Sequence, residues 1–280
     1  MKTFLVIAAL ALVPACKKNA PPEEGGEAPK AEAKSEGTAE PKAEGKPEAK
    51  AEPGGETAAG GDEYKGSDTV AGGGTISGTV TYAGTEKDTK VTITKDEATC
   101  CAACKVKEKM AETLVVAGGK LANAVIYLPD VKAGKKMPTT TATVNNTGCA
   151  FDPHVAIGYK GANVAAKNSD PVLHNTHLFL QQGNKDLVNI ALPSQGQVVE
   201  KPLKKPGVVS VKCDAHEWMQ AYIYVAANPY AAVSGKDGSF KLENVPPGEY
   251  NVKVWHERLG DKEAKIKLDA GGNAKLDIAY

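Results

Sequence analysis

The sequence predicts an all-β protein, and three observations carry that prediction. Residues 75–82 alternate apolar with polar side chains and are rich in β-branched types, which is typical of a strand with one buried face. Turn dipeptides such as Pro206-Gly207 and Asp237-Gly238 separate stretches of this kind. Glycine is plentiful, at 29 residues, and aromatic residues make up only 5% of the chain, a composition that suits short strands joined by turns.

The length of the chain limits the number of domains, and its charge limits the kinds of partner. A chain of 280 residues allows one or two folded domains beside any tails. Lysine plus arginine and aspartate plus glutamate both number 34, so the formal net charge is zero. Nucleic-acid binding needs a basic face. We therefore expect no nucleic-acid partner.

The N-terminus has the pattern of an export signal. Lys2 precedes an apolar run over residues 4–13, which has signal-peptide length and is too short to span a bilayer. Residues 13–16, Val-Pro-Ala-Cys, resemble the lipobox of bacterial lipoproteins. The resemblance implies that a signal peptide, 1–15, is removed and that Cys16 is lipidated. It also implies a lipid-anchored protein of the bacterial cell envelope, periplasmic or at the surface. Ordinary secretion with an incidental cysteine is the alternative.

Residues 16–73 are predicted to be a disordered tether. The stretch is built of Ala, Glu, Lys, Pro and Gly and has almost no large apolar side chain. Such a segment buries too little surface to offset the entropy of ordering it. We interpret it as a spacer between the membrane and a folded head.

Two short segments carry the chemistry that we expect. Residues 211–222 contain Cys213, His216 and Met219, and His174 lies upstream. A thiolate, two imidazoles and a distant thioether form the ligand set of blue-copper electron-transfer sites. The first segment supplies only one imidazole, so a second must come from elsewhere in the chain, and His174 is available.

Together these segments resemble the cupredoxin family, with loop lengths similar to those of amicyanin and the plastocyanins. The matching patterns are Asn-x-Asp-x3-His-Asn, over residues 168–175, and Cys-x2-His-x2-Met, over residues 213–219. The resemblance implies one mononuclear type 1 copper ion, with these four ligands: His174, Cys213, His216 and Met219. It also implies that Asn175 hydrogen-bonds the copper loop, and that His216 lies at an apolar surface where relatives pass electrons.

Three further histidines are not assigned to this set. His177 lies three residues beyond His174, so along a strand its side chain is expected on the opposite face. His154 and His177 are interpreted as hydrogen-bonded polar residues near the site, with a second metal site as the alternative. His256, beside Trp255 and Glu257, is interpreted as structural.

Four cysteines remain once Cys16 and Cys213 are set aside as the lipidation site and a copper ligand. They are Cys100, Cys101, Cys104 and Cys149. A redox dithiol needs a βαβ context that is absent, and a zinc site needs a second cysteine pair. An exported protein favours disulfides. We predict two bridges, one of them tying the 100–104 segment to Cys149, with the connectivity open.

The C-terminal residues indicate a different β-domain. The pattern Asp-Gly-x-Phe-x-Leu, then Pro-Pro-Gly-x-Tyr, over residues 237–250, predicts a hairpin with an Asp-Gly turn. It resembles the carboxypeptidase regulatory-like domain, a small transthyretin-like sandwich. Gly78-Thr-Val80 and Asn123-Ala-Val125 match two other pieces of that family. The resemblance implies a discontinuous domain, 74–135 and 228–280, into which a cupredoxin domain, 139–227, is inserted. One larger irregular β-domain followed by a C-terminal one is the alternative.

The predicted fold is therefore a Greek-key cupredoxin sandwich plus a small transthyretin-like β-sandwich, preceded by a disordered linker. The sequence contains no Ser/His/Asp nucleophile pattern and no His-x-x-Glu zinc motif, so we expect no enzyme. Three functions stay open. The first is a type 1 copper carrier that cycles between Cu(I) and Cu(II) with c-type cytochromes or an oxidase. The others are a copper-sequestering lipoprotein and a non-redox envelope binding module.

Overall fold

A computed structural model describes residues 63–100 and 107–280, whose regular structure is almost entirely β-strand, so the predicted all-β class is confirmed. The predicted signal peptide, Cys16, Cys101 and Cys104 lie outside the described residues. Within the part of the chain that the structure describes, no helix has the length and apolar character needed to cross a bilayer.

Residues 142–226, here called the central lobe, form two sheets that enclose one core. The strands are β9 Ala142–Thr147, β10 Ala150–Asp152, β11 Val155–Tyr159, β12 Asn163–Asn168, β13 His174–Leu180, β14 Lys185–Leu192, β15 Val198–Pro202, β16 Gly207–Lys212 and β17 Gln220–Ala226. The first sheet has the order β10-β9-β12-β15 and the second has the order β11-β17-β16-β13-β14. A short 3₁₀ turn, Gln182–Asn184, joins β13 to β14.

Apolar side chains from both sheets meet between them because alternate residues of each strand point inward. The buried members include Val144, Val164, Leu178, Val211 and Ile223. Cys213 and Met219 belong to the same cluster. The predicted ligand segment is therefore part of the core.

Strands that precede and follow the central lobe in the sequence form a second pair of sheets, here called the flanking lobe. The strands are β2 Gly74–Thr81, β5 Val116–Ala117, β6 Lys120–Leu121, β7 Val125–Tyr127, β18 Ala231–Val233, β19 Ser239–Val245, β20 Gly248–His256, β21 Gly260–Leu268, β22 Asn273–Lys275 and β23 Ile278–Ala279. One sheet has the order β18-β7-β20-β21, and the other has the order β19-β2-β6-β5, with β22 and β23 also paired with β2.

The pairing between early and late strands is extensive. Strand β7 pairs with β18 and β20, while β2 pairs with β19, β22 and β23. Ile76, Ile126, Tyr230 and Val252 are buried together in the core of this lobe. The division into an inserted and a discontinuous domain, with the limits given above, stays a prediction.

Two expectations about the flanking lobe are wrong. Strand β1, Lys65–Ser67, pairs in parallel with β8, Ala133–Lys135, although these first residues fall inside the predicted disordered tether. Their position is fixed by backbone pairing and by Tyr64, whose hydroxyl donates to the Lys135 carbonyl at 2.6 Å. The turn at Gly238 also does not form a hairpin, because β18 pairs with β7 and β19 pairs with β2.

A loop excursion from the flanking lobe reaches the central lobe. Strands β3, Lys90–Thr92, and β4, Glu108–Met110, pair antiparallel, and the one-turn helix α1, Glu97–Cys100, lies between them. The base of the excursion is closed by Asp88, whose carboxylate accepts from the Glu112 and Leu114 N–H groups at 2.9 and 3.1 Å.

Candidate metal centre

Two neighbouring strands deliver the upstream histidine and the cysteine. Strand β13 begins at His174, and β16 ends one residue before Cys213. These strands are antiparallel, with His177 opposite Lys212, so the start of one lies beside the end of the other. Both side chains point into the core, with His174 fully buried and Cys213 2% exposed.

The segment after Cys213 folds back on itself. The Met219 N–H donates to the His216 carbonyl at 2.9 Å, and strand β17 begins at the next residue. His216 and Met219 are both buried. The short turn therefore returns the imidazole and the thioether to the same end of the central lobe as Cys213.

The two imidazoles converge on the sulfur. Cys213 Sγ lies 3.8 Å from His174 Nδ1 and 3.6 Å from His216 Nδ1. The ligand atoms of these three residues all lie within 4.8 Å of one another. The two ring centroids are 4.6 Å apart.

This geometry fits a small transition-metal ion. With the bond lengths typical of Zn²⁺, about 2.3 Å to sulfur and about 2.0–2.1 Å to nitrogen, the two donors would lie about 3.6 Å apart at a tetrahedral angle and about 3.8 Å apart at 120°. The observed separations from Cys213 to the two rings, 3.6 and 3.8 Å, match these values. A thiolate with two imidazoles is a soft donor set of the kind that copper prefers.

The ring nitrogen of each imidazole that faces away from Cys213 lies within hydrogen-bond distance of a carboxylate. His174 Nε2 lies 2.9 Å from Asp170 Oδ2, and His216 Nε2 lies 3.0 Å from Asp96 Oδ2. A carboxylate only accepts hydrogen bonds, so in each neutral ring Nε2 carries the hydrogen and Nδ1 keeps its lone pair for the metal position. Such outer partners fix the tautomer and orientation of metal-binding histidines.

Asp170 also organises the loop between β9 and β10. Its two carboxylate oxygens accept from the Gly148 and Cys149 N–H groups, both at 2.8 Å. Gly148 and Cys149 have φ values of 56° and 51°, the left-handed conformation that a two-residue hairpin turn needs at both positions. One buried carboxylate therefore ties this turn to His174.

Asn175 fastens the loop that contains Cys213, as the family resemblance implies. Its side-chain oxygen accepts from the Asp214 N–H at 2.7 Å, and its own N–H donates to Cys213 Sγ at 3.5 Å. Its amide nitrogen donates to Asn189 and Asp214 at 2.7 and 2.8 Å.

Burial shifts the pKa of the thiol ligand and of one imidazole ligand. It raises the pKa of the Cys213 thiol, against the opposing effect of backbone N–H groups such as that of Asn175. It also lowers the pKa of His174, which Asp170 only partly offsets. The metal-free protein therefore favours a neutral thiol and neutral His174, and metal binding releases the thiol proton.

A disulfide joins Cys100 to Cys149 beside this site. Cys100, Cys149 and His216 form a group whose ligand atoms all lie within 4.8 Å of one another. Trp218 Nε1 donates to the Cys149 carbonyl at 3.1 Å. The bridge ties the 100–104 segment to Cys149, in the arrangement expected for one of the two predicted bridges. Any pairing of Cys101 and Cys104 lies outside the described residues.

The expected position of His216 is wrong. The resemblance placed it at an apolar surface, but only 1% of the residue is exposed. Asp96, from the loop excursion of the flanking lobe, occupies the position next to its Nε2. Sequence reasoning missed Asp96, because the neighbouring residues Lys95 and Glu97 are equally polar and no local pattern distinguishes it.

The remaining histidines lie away from the three converging donors. His177 projects to the other side of β13 and contacts Asp186 and Asp214, each at 3.1 Å. His154 forms a buried hydrogen bond with Glu257 of the flanking lobe. His256 is buried, with Nδ1 accepting from the backbone of Arg258 and Leu259.

Structural comparison finds copper proteins over parts of this chain. Amicyanin from Paracoccus versutus matches with 15% identity and a TM-score of 0.28, over 32% of this chain and 86% of its own. A purple cupredoxin from Nitrosopumilus maritimus matches with 24% identity and a TM-score of 0.26, over 30% of this chain and 99% of its own. A copper-containing nitrite reductase from Thermus scotoductus matches with 18% identity and a TM-score of 0.29, over 52% and 28%, respectively.

Likenesses at these TM-scores carry no conclusion about function on their own. No family model and no curated protein matches the sequence. The geometry of the candidate centre therefore has to carry the functional argument.

Proposed function

We propose that the chain binds one type 1 copper ion through His174, Cys213, His216 and Met219, and that it is an electron carrier and not an enzyme. One observation carries the proposal: both imidazole Nδ1 atoms face the same buried sulfur, at 3.8 and 3.6 Å. Met219 lies in the same buried cluster, and its thioether would be the fourth group to hold the ion.

The chain's own residues hold the donors in place. Copper, when bound, supplies the one-electron chemistry by cycling between Cu(I) and Cu(II). Asp170 orients His174, and Asn175 holds the backbone on either side of Asp214. Because the donors are anchored by strands and buried hydrogen bonds, they change position little between oxidation states. A small rearrangement favours fast electron exchange.

The proposed setting follows from the N-terminal sequence. We propose that Cys16 is lipidated after removal of residues 1–15, so that the head works at the bacterial envelope beside the membrane. The proposed partner is a redox protein such as a c-type cytochrome or an oxidase. A balanced net charge gives no reason to add a nucleic-acid partner.

Copper sequestration is a second candidate, and the burial of His216 favours it. Only 1% of this residue is exposed, and Asp96 lies 3.0 Å from the ring nitrogen that would otherwise face solvent. A covered ligand slows both metal loss and direct contact with a redox partner. Copper that exchanges slowly and is not reduced by a redox protein would favour this function over electron transfer.

The first test is a titration of the metal-free full-length protein with Cu(II). We expect one equivalent to produce an intense visible band from charge transfer between the Cys213 thiolate and copper. Cys213→Ala should abolish the band. His177→Ala is the matched control, because it removes an imidazole from the same strand that points away from the site, and it should keep the band. A folded wild-type protein that stays colourless contradicts the copper proposal.

The second test separates the two candidate functions. The copper-loaded protein is mixed with a reduced c-type cytochrome, and the absorbance of both centres is followed by stopped flow. A carrier should be reduced within milliseconds to seconds at micromolar concentrations. A band that persists for minutes, while the protein retains its copper, assigns the site to sequestration.

We also propose that residues 74–135 and 228–280 form a regulatory-like domain that carries residues 139–227 as an insertion. Support comes from the pairing of β7 with β18 and β20, across the central lobe in sequence. A fragment of residues 139–227 should give a β-type circular dichroism spectrum and unfold cooperatively. A fragment that remains unfolded in buffer contradicts an autonomous insertion.

A further inference from the structure

Residues 93–100, here called the cap, belong to the loop excursion of the flanking lobe but pack on the metal centre. Ile93 and Cys100 are buried members of the central-lobe core cluster. Lys95 Nζ lies 3.5 Å from the Ala215 carbonyl, in the loop between Cys213 and His216. The cap therefore contributes to the core of a lobe from which it is distant in sequence.

Asp96 is the residue that brings the cap into contact with a proposed ligand. Its carboxylate lies 3.0 Å from His216 Nε2, across 120 positions of sequence. The His216 side chain is 1% exposed, while that of Asp96 is 47% exposed. The carboxylate thus sits at the protein surface, directly outside the buried ring.

The backbone at Asp96 is also unusual. Its φ of 48° lies in the left-handed region, which is unfavourable for residues other than glycine and is tolerated best by Asn and Asp. Its carbonyl accepts from the Thr99 and Cys100 N–H groups, both at 2.9 Å, and starts helix α1. A strained conformation at a residue that contacts a candidate site is a reason to test that residue for function.

The cap is fixed at its far end. Cys100 is bonded to Cys149, in the turn that Asp170 holds. Beyond the disulfide, Lys109 Nζ donates to the carbonyls of Gly148 and Cys149, both at 2.9 Å. The turn at Gly148 and Cys149, which Asp170 holds, therefore anchors the cap to the central lobe.

We propose that Asp96 is a positioning residue for the copper centre. Its carboxylate accepts the Nε2 hydrogen of His216, keeps Nδ1 directed at the metal position, and closes the edge of the ring to solvent. This inference rests on the proposed function. The consequence is that loosening the cap exposes the His216 edge of the site and should speed the loss of copper.

The test compares Asp96→Ala and Asp96→Asn with Glu97→Gln in the full-length protein. Glu97 is a matched control, because it is the neighbouring carboxylate of the same segment and pairs only with Lys107 among the described residues, at 2.6 Å. Copper affinity and the rate of Cu(I) extraction by a chelator are measured for each. Asp96→Ala is expected to weaken binding about 10- to 100-fold, as loss of an outer partner of a metal-bound histidine does.

A second readout is independent of copper. Nitrogen chemical shifts of His216 in the metal-free protein report which ring nitrogen carries the hydrogen. The wild-type protein and Asp96→Asn, which keeps an acceptor oxygen, should show the Nε2–H form. Asp96→Ala should show a mixture of both forms. Glu97→Gln should match the wild type in both readouts.

The outcomes separate this proposal from the function on which it rests. Asp96→Ala with wild-type affinity and the wild-type tautomer overturns the positioning role and leaves the copper proposal intact. A colourless wild-type protein in which Asp96→Ala still changes the tautomer overturns the copper proposal and keeps the positioning role. Equal losses in Asp96→Ala and Glu97→Gln overturn a specific role for Asp96.

Discussion

The two imidazoles of the candidate centre are supported in opposite ways. His174 and its carboxylate, Asp170, lie four residues apart, and both are buried within the central lobe. His216 is supported by Asp96, which is half exposed and comes from the flanking lobe. One side of the site is thus complete within its own lobe, and the other side depends on a segment brought in by tertiary structure. Changes to the two sides should therefore have different effects.

The largest effect is expected when the disulfide that anchors the cap beside His216 is removed. Cys100→Ser with Cys149→Ser opens a bridge with a sequence separation of 49, which in the chain-entropy relation stabilises the fold by about 4 kcal/mol. Urea denaturation of the metal-free protein measures this loss in the free energy of unfolding. The His216 tautomer should change in this variant, while that of His174 should not. Equal changes in both rings would contradict the distinction between the two sides.

Acid should next weaken the flanking lobe, which supplies the cap. Burial, with the charges of His154 and Arg258, lowers the pKa of His256 to about 4. The unfolded chain takes up this proton near pH 6.5, so the stability is fully present above that pH and is lost as the pH falls toward 4. The difference corresponds to about 3 kcal/mol.

Urea denaturation at several pH values between 7 and 4 measures that loss. His256→Phe should flatten the dependence of the unfolding free energy on pH, whatever its effect on stability at neutral pH. Burial also lowers the pKa of His174, which acts in the same direction and leaves a residual slope in the variant. An unchanged slope in His256→Phe would show that this ring does not control the acid response.

Removal of the two carboxylates is expected to lower the free energy of unfolding moderately for Asp170 and only slightly for Asp96. Asp170→Ala leaves the Cys149 N–H without its buried acceptor and should lower the free energy of unfolding by about 2–3 kcal/mol. Asp96→Ala removes a half-exposed carboxylate and should cost less than about 1 kcal/mol. Thermal and urea denaturation of the metal-free variants measure both. If Asp96→Ala lowered the free energy of unfolding more than Asp170→Ala, the contrast between the two carboxylates would be contradicted.

The smallest effect is expected at His177, on the strand that carries His174. Its contacts with Asp186 and Asp214 lie at the surface, where ion pairs contribute little. His177→Ala should therefore change the free energy of unfolding by less than about 1 kcal/mol, measured by urea denaturation. A larger loss would mean that the polar cluster on this face stabilises the Cys213 loop.

The same contrast explains what the sequence could and could not predict. His174, Asn175 and Cys213 stand in the two short patterns that carry the family resemblance, so their proximity was expected from that resemblance. The Asp96 contact spans 120 positions and has no local signal. Strand β1 was missed because it contains no apolar side chain, and its place is set by backbone pairing with β8. Gly238 marks a chain reversal, but a turn does not determine which strand each arm pairs with.

The pairing of β2 also has a consequence for how the chain is made. Residues 74–81 lie beside β19 and pair with β22 and β23, which span residues 273–275 and 278–279. Contacts of such long sequence separation form slowly, because the intervening chain has to be ordered first. During synthesis, the flanking lobe therefore cannot complete its pairing with β2 until residues 273–279 have emerged. The central lobe, residues 142–226, is synthesised before β22 and β23, so its strands can pair while the flanking lobe is still incomplete.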